Sequence, residues 1–286
     1  MVKKMKIVKT VEEVRQEVKA WRKEGLTVGL VPTMGFLHEG HKSLIDRAVA
    51  ENDRVVVSDF VNPTQFGAGE DLESYPRDLS RDAELCREAG ASLLFNPEPE
   101  EMYAQDACTM VDMSGDLTTE LCGRTRPIHF RGVCTVVSKL FNIVAPDRAY
   151  FGQKDAQQLA VIRRMVRDLN FDIEIVGCPI IREEDGLAKS SRNTYLNSEE
   201  RKAALVLSRA VAKGRAMAEA GEKDADKIVA EMTDCINQEP LARIDYVKAV
   251  NAETIVPVSV MEPPVLMAMA VYVGKTRLID NFIYKG

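Results

Sequence analysis

Three observations predict an α/β protein: a doubly wound parallel sheet of Rossmann-like type with a second, smaller α+β domain. Short apolar runs alternate with amphipathic helical stretches between residues 11 and 176, the pattern of strand–helix units in a parallel sheet covered on both faces. Glycine- and amide-rich turns follow several of the runs, where open parallel sheets hold ligands. After Gly177 the order changes to a turn-rich stretch, two helices and three strands. This predicts a first domain over 1–176 and a second over 177–286.

Each element has a local reason. Thr10 followed by Glu13 opens a capping box, and Val11, Val14, Val18 and Trp21 form an apolar stripe ending at Gly25, so a helix is expected over 11–24. Strand 26–31, helix 41–50, strand 54–60, helix 79–89 and strand 92–95 follow, then helix 132–144, strand 148–151, helix 155–169 and strand 172–176. Right-handed crossovers wind these units into one sheet. Within 132–144, Val133, Val136, Val137, Leu140, Phe141 and Val144 keep helical spacing and are assigned to the core. The second domain opens on turn signals from Pro179 to Asn197, followed by helices at about 198–220 and 224–237 and strands 244–250, 265–273 and 277–284. No internal repeat or low-complexity tract is visible.

Composition narrows the function classes. The 286 residues, 45% hydrophobic and 29% charged, match an ordinary globular protein. No run approaches the roughly 18 apolar residues of a membrane span. The basic start lacks the apolar segment of a secretory signal, so a cytoplasmic protein is expected. Six cysteines without a C-x-x-C pair read as reduced thiols, against a zinc ribbon or a disulfide framework. A net charge of −6 disfavours broad nucleic-acid binding, so any nucleotide is expected to be small and locally held.

Four stretches carry candidate chemistry. Pro32 to His41 places two of the three histidines, His38 and His41, in a glycine-bracketed turn between a strand and a helix. Metal ligation and simple capping are open readings there; the favoured one is phosphate contact by imidazole and backbone N–H groups at a helix N-terminus. Gly35 to Ser43 resembles a P-loop, but His41 inserted before Lys42 shifts the register, and G-x-G-x-x-G is missing. Phe60 to Gly67 offers Asn62 and Gln65 for a hydroxy acid between Phe60 and Phe66, with an ordinary Asn-Pro turn as the alternative. Phe151 to Gln158 offers Gly152 for close backbone approach, Lys154 for a phosphate, and Asp155 as a helix cap or ribose acceptor. Lys189, Ser190, Ser191, Arg192 and Asn193 form a basic, hydroxyl-bearing loop that reads by itself as solvated surface and, beside the other three stretches, as a clamp for a polyphosphate.

Together these stretches resemble the pantoate–β-alanine ligase family of the nucleotidyltransferase superfamily. The resemblance rests on Pro32-Thr33-Met34-Gly35, Asn62-Pro63-x-Gln65-Phe66-Gly67, Tyr75-Pro76-Arg77, His129-Phe130-Arg131-Gly132-Val133 and Ser190-Ser191-Arg192-Asn193 in the family's order, and on Gly274 to Asn281. It implies ATP-dependent condensation of (R)-pantoate with β-alanine through an acyl adenylate, with Mg²⁺, in a homodimer. Carried over, it implies ATP contact by Met34, Gly35, Phe36, Leu37, His38, Glu39, Gly40 and His41. His41 would be the proton donor, and His38 would lie beside it on the phosphates. Gly152, Gln153, Lys154, Asp155, Ile181, Lys189, Ser190, Ser191 and Arg192 would complete the nucleotide site, with Lys154 on the phosphate side. Gln65 and Gln158 would hold pantoate, and Asp82 would stand near Mg²⁺. Two positions depart from the family pattern: Asp59 replaces an apolar strand residue, and Lys189 replaces Met or Leu. A buried Asp59 needs a partner or a raised pKa; otherwise it marks a partly open strand end. Lys189 is expected either to add a phosphate contact or to point outward. A nucleotidyltransferase passing AMP or CMP to a phosphorylated acceptor, and an ATP sensor without turnover, are the other readings of the same turn.

Overall fold

The structure is a computed structural model describing residues 5–286. The amino-terminal stretch read against a secretory signal begins in residues 1–4, outside the described residues. In chain order the elements are β1 (Lys6–Val8), α1 (Val11–Lys23), β2 (Val28–Thr33), α2 (Glu39–Glu51), β3 (Arg54–Asp59), a 3-10 turn (Pro63–Gln65), α3 (Leu79–Glu88) and β4 (Leu93–Phe95). Then come α4 (Pro99–Met102), α5 (Asp116–Thr119), α6 (Cys122–Thr125), α7 (His129–Val144), β5 (Arg148–Gly152), a 3-10 turn (Gln153–Asp155), α8 (Ala156–Asp168) and β6 (Glu174–Cys178). A third 3-10 turn (Ser191–Tyr195), α9 (Ser198–Ala203), α10 (Leu205–Glu219), α11 (Ala225–Asn237), β7 (Ala242–Asn251), β8 (Val265–Val273) and β9 (Thr276–Tyr284) complete the order.

The chain forms two compact units. The first comprises residues up to Met113, Arg126–Gln153 and Val161–Pro179. Its six-stranded sheet has the order β1-β4-β3-β2-β5-β6, and every pairing is parallel. Val55, Val56 and Val57 are fully buried, which is why a central strand covered on both faces reads as an unbroken apolar run. From the β2–β5 pair, sequence order runs outward through β3 and β4 on one side and β6 on the other, with β1 added at the β4 edge. That pair is the topological switch point, and the carboxyl ends of its strands are where a ligand is expected. The predicted capping box of α1 is made, with Glu13 N–H donating to Thr10 Oγ1 at 3.3 Å and Thr10 N–H to Glu13 Oε2 at 3.0 Å.

The second unit comprises Ser114–Thr125, Lys154–Ala160 and Ile180–Gly286. Its three strands form an antiparallel sheet in the order β7-β8-β9. Leu207, Val211, Ile228 and Met232 of α10 and α11 share a core with Met267, Met269, Val271 and Phe282. Two inner segments, 114–125 and 154–160, belong here: Lys248 Nζ donates to Glu120 Oε2 at 3.1 Å and Asn281 Nδ2 to Lys154 O at 2.9 Å, and Gln157 ties the two segments to each other. The Gln157 amide donates to Leu117 O at 2.9 Å and Glu120 O at 2.8 Å, and its Oε1 accepts from Cys122 N–H at 3.0 Å.

Several element boundaries differ from the sequence expectation. β1 was not anticipated; its three residues sit among lysines, and pairing with β4 makes it a strand. α7 begins a turn before residue 132, because His129 and Arg131 interrupt the apolar spacing while satisfying the backbone geometry. The expected helix 198–220 is divided at Ala204, where Leu207 N–H bonds back to Ala204 O at 3.2 Å. Among the described residues no helix is long and apolar enough to cross a membrane.

Candidate active site

At the carboxyl end of β2 the chain turns through Met34 to Leu37, with Gly35 at φ +77° and Phe36 at φ +50°. Asp82 of α3 holds this turn: its two oxygens accept from Phe36 N–H and Leu37 N–H, each at 2.6 Å. Gly35 is required for space as well as for angle. A Cβ there would lie 2.3 Å from Asp59 Oδ1 and 3.3 Å from Asp82 Oδ2. Asp59, at the end of β3, is buried, and burial followed by the Asp82 carboxylate pushes its carboxyl up to about 7. It is not the partly open strand end that was one expectation. Burial also raises the Asp82 carboxyl, outweighing its two backbone donors.

The histidine pair opens α2 as a reciprocal cap. His38 Nδ1 accepts from Gly40 N–H at 3.1 Å, and His41 Nδ1 accepts from His38 N–H at 3.3 Å. An acceptor Nδ1 places the proton of a neutral imidazole on Nε2. Capping therefore prepares both rings as Nε2–H donors, and the capping and phosphate readings are compatible. The rings lie 4.1 Å apart between centroids. Lys42 is turned to Asp46 at 2.8 Å, in keeping with rejection of a P-loop. Among the described residues no group of three or more His, Cys, Asp or Glu could hold a metal. Each Asp82 oxygen accepts one turn N–H and keeps a further lone pair.

Beyond β3 the Pro63–Gln65 turn is capped by Asn62. Asn62 is buried, and its Nδ2 donates to Gln65 Oε1 at 3.0 Å and Gly132 O at 3.1 Å. Its Oδ1 accepts from Tyr103 O–H at 2.8 Å and Thr64 O–H at 3.0 Å. Asn62 is thus fully engaged and orients Gln65, whose Nε2 reaches Met34 Sδ at 3.0 Å. Thr64, Tyr103 and Gly132 are members of this cluster that sequence reasoning did not single out as site residues. The HFRGV motif was the available signal for Gly132.

Gly152 ends β5 at the switch point, with Gln153 after it. In the second unit, Lys154 O accepts from Asn281 Nδ2 at 2.9 Å, and its ammonium has no partner among the described residues. Asp155 is exposed and makes no capping bond among them. Gln157 is buried and structural, whereas the neighbouring Gln158 is only half-buried. Residues 181–189 form a tight hairpin, in which Lys189 N–H donates to Ile181 O at 3.0 Å and Glu183 N–H to Leu187 O at 2.8 Å. Arg182 anchors it to Asp280 at 2.7 Å. Lys189 pairs with Glu183 at 3.2 Å rather than pointing outward. Ser190 caps the next turn by accepting from Arg192 N–H at 3.3 Å, and Ser191 is buried.

A doubly wound sheet whose switch-point strand runs into a capped helix N-terminus is the arrangement in which α/β enzymes commonly hold nucleotide phosphates. The chain belongs to the pantoate–beta-alanine ligase family, whose sequence model matches residues 6–283. It is 64% identical over 280 residues to the pantothenate synthetase of Ruminiclostridium cellulolyticum, covering 98% of this chain and 99% of that one. Its fold is similar to the crystal structure of pantothenate synthetase from Thermus thermophilus, with a TM-score of 0.92, 48% identity and coverage of 99% and 100%. It is also similar to the pantoate–beta-alanine ligase of Francisella tularensis, crystallised in complex with beta-gamma ATP and beta-alanine. There the TM-score is 0.81, the identity 32% and the coverage 98% and 97%.

Proposed function

We propose that the chain joins (R)-pantoate to β-alanine at the expense of ATP, through a pantoyl adenylate, releasing pantothenate, AMP and pyrophosphate. The observation that carries this reading is the reciprocal histidine cap, two Nε2–H donors at the N-terminus of α2 beside the switch point. Family membership supplies the substrates. The ATP and β-alanine named for the F. tularensis relative support both as substrates here.

A carboxylate is a poor electrophile and must first be activated. A pantoate carboxylate oxygen attacks the α-phosphorus of ATP, forming an O–P bond as the α–β bridge breaks and pyrophosphate leaves. Met34 to His41 and Gly152 to Asp155 contact ATP. The imidazoles of His38 and His41 and the ammonium of Lys154 stabilise charge on the departing phosphates, with His41 as proton donor. Ile181 and Lys189 to Arg192 complete the nucleotide pocket. Gln65 and Gln158 hold pantoate, and Asn62 acts by fixing Gln65. The amine of β-alanine then attacks the acyl carbon, forming C–N, breaking the C–O bond to AMP and releasing a proton. Mg²⁺ enters as the metal of the ATP complex, and no step is assigned to a protein-bound ion. Of the two expected domains, 1–176 takes the main nucleotide- and pantoate-binding role and 177–286 the role of a lid that carries Ile181 and Lys189 to Arg192. We place the enzyme in the cytoplasm, in keeping with its free cysteines, and as a homodimer, which sedimentation will test.

The deciding experiment is ATP–pyrophosphate exchange with Mg²⁺ and (R)-pantoate, with and without β-alanine. Exchange that requires pantoate but not β-alanine supports the adenylate. Exchange driven instead by a phosphorylated acceptor, or ATP binding with no exchange at all, refutes it.

A further inference from the structure

The HFRGV motif has no role in the reaction outlined above, yet its first residue reaches the proposed pantoate subsite. We propose that His129, held by the Arg126–Glu70 ion pair, is a positioning residue for that subsite, acting through the main-chain carbonyl of Gln65. The inference rests on Gln65 as the pantoate residue and adds what sets Gln65 in place.

The relay runs through four groups of the first unit. Arg126 Nε and Nη2 donate to Glu70 Oε1 and Oε2 at 2.8 and 2.7 Å, a two-point pair that fixes the guanidinium plane. Arg126 Nη1 lies 3.2 Å from His129 Nε2. A guanidinium only donates, so this contact makes Nε2 an acceptor and puts the proton of the neutral ring on Nδ1. Nδ1 lies 3.1 Å from Gln65 O, so Nδ1–H donates to it. One neutral tautomer satisfies both contacts, and it is the opposite of the one at His38 and His41.

Gln65 O is the last carbonyl of the Pro63–Gln65 turn, and no backbone N–H of the described residues reaches it. His129 is 9% exposed, so removing its donor would leave a buried carbonyl unsatisfied. Turning that peptide toward water changes ψ at Gln65 and disturbs the turn from which the Gln65 side chain projects. Asn62 ties the other end of the turn to Gly132 O at 3.1 Å, and Gly132 lets the first turn of α7 lie directly on the Gln65 backbone. The turn is therefore clamped at two points. A small substrate whose carboxylate must meet an α-phosphorus in line is sensitive to shifts of about 1 Å.

The test compares His129→Asn, His129→Gln and His129→Phe in the full chain, with Gln65→Ala beside them. An Asn amide nitrogen takes the place of Nδ1, whereas that of Gln takes the place of Nε2. His129→Phe and His129→Gln are expected to raise the pantoate KM about tenfold with the ATP KM within about twofold, and His129→Asn to recover most of the loss. If His129→Phe does not fold, the Asn–Gln difference carries the result. Equal values for Asn and Gln, or equal losses for ATP and pantoate, overturn the relay. An unchanged pantoate KM in Gln65→Ala overturns the subsite assignment itself, and the relay with it. A raised KM there beside unaffected His129 variants overturns the relay alone.

Discussion

Asp59 makes the sharpest quantitative prediction. Its carboxyl is buried behind the Met34–Leu37 turn and raised from 3.8 to about 7. A carboxyl raised on folding binds its proton more tightly in the native state, so its ionisation destabilises the fold as pH rises from about 4 to about 7, and the penalty is then constant. At about 1.4 kcal/mol per pH unit, the full penalty is about 4 kcal/mol above pH 7 and about 2 kcal/mol at pH 5. Asp59→Asn keeps the shape and removes the charge. It is expected to stabilise the first unit by about 2–3 kcal/mol more at pH 8 than at pH 5. The assay is urea unfolding followed by Trp21, the only tryptophan, buried in α1 of the same unit. With a slope of about 2 kcal/mol per molar urea, the pH-dependent part of the midpoint shift is about 1 M. A gain equal at both pH values, or none, would refute the assignment of a buried, charge-averse carboxyl to this position.

Three further outcomes follow from close approaches and pairings. Gly132→Ala puts a Cβ 2.5 Å from Gln65 Cα and N; it is expected to cost about 1–3 kcal/mol and to raise the pantoate KM, and an unchanged midpoint and KM would contradict the clamp. Lys154→Ala removes an ammonium unpaired among the described residues and is expected to raise the ATP KM about tenfold while sparing pantoate; normal ATP kinetics would move the phosphate site elsewhere. Asp280→Asn breaks a pair in which Asp280 is fully buried and Arg182 is 27% exposed. A loss of about 2–3 kcal/mol in the calorimetric unfolding of the second unit is expected, and no change would show the Arg182 anchor to be idle.

The residues alone determined the α/β class, the parallel sheet and the shift to α+β character, because hydrophobic period and turn chemistry are local properties of the chain. They also marked the histidine turn, the Asn62–Gln65 turn and the Lys189–Arg192 loop, since those stretches depart from core patterning. Other decisions needed the tertiary structure. Gln157 and Gln158 are adjacent and chemically identical, and only packing made the first a brace for residues 117–122 and left the second half-buried. Asp82 reads in the sequence only as an acidic residue of an amphipathic helix, and the fold alone shows that its two oxygens hold the Phe36 and Leu37 N–H groups of the histidine turn. The placement of 114–125 and 154–160 with the second unit is invisible in a linear reading, because the bonds responsible join residues distant in sequence. The tautomers of His38, His41 and His129 were decided in the same way: an imidazole carries no preference strong enough to choose its protonated nitrogen, and the donor or acceptor that folding sets beside it does.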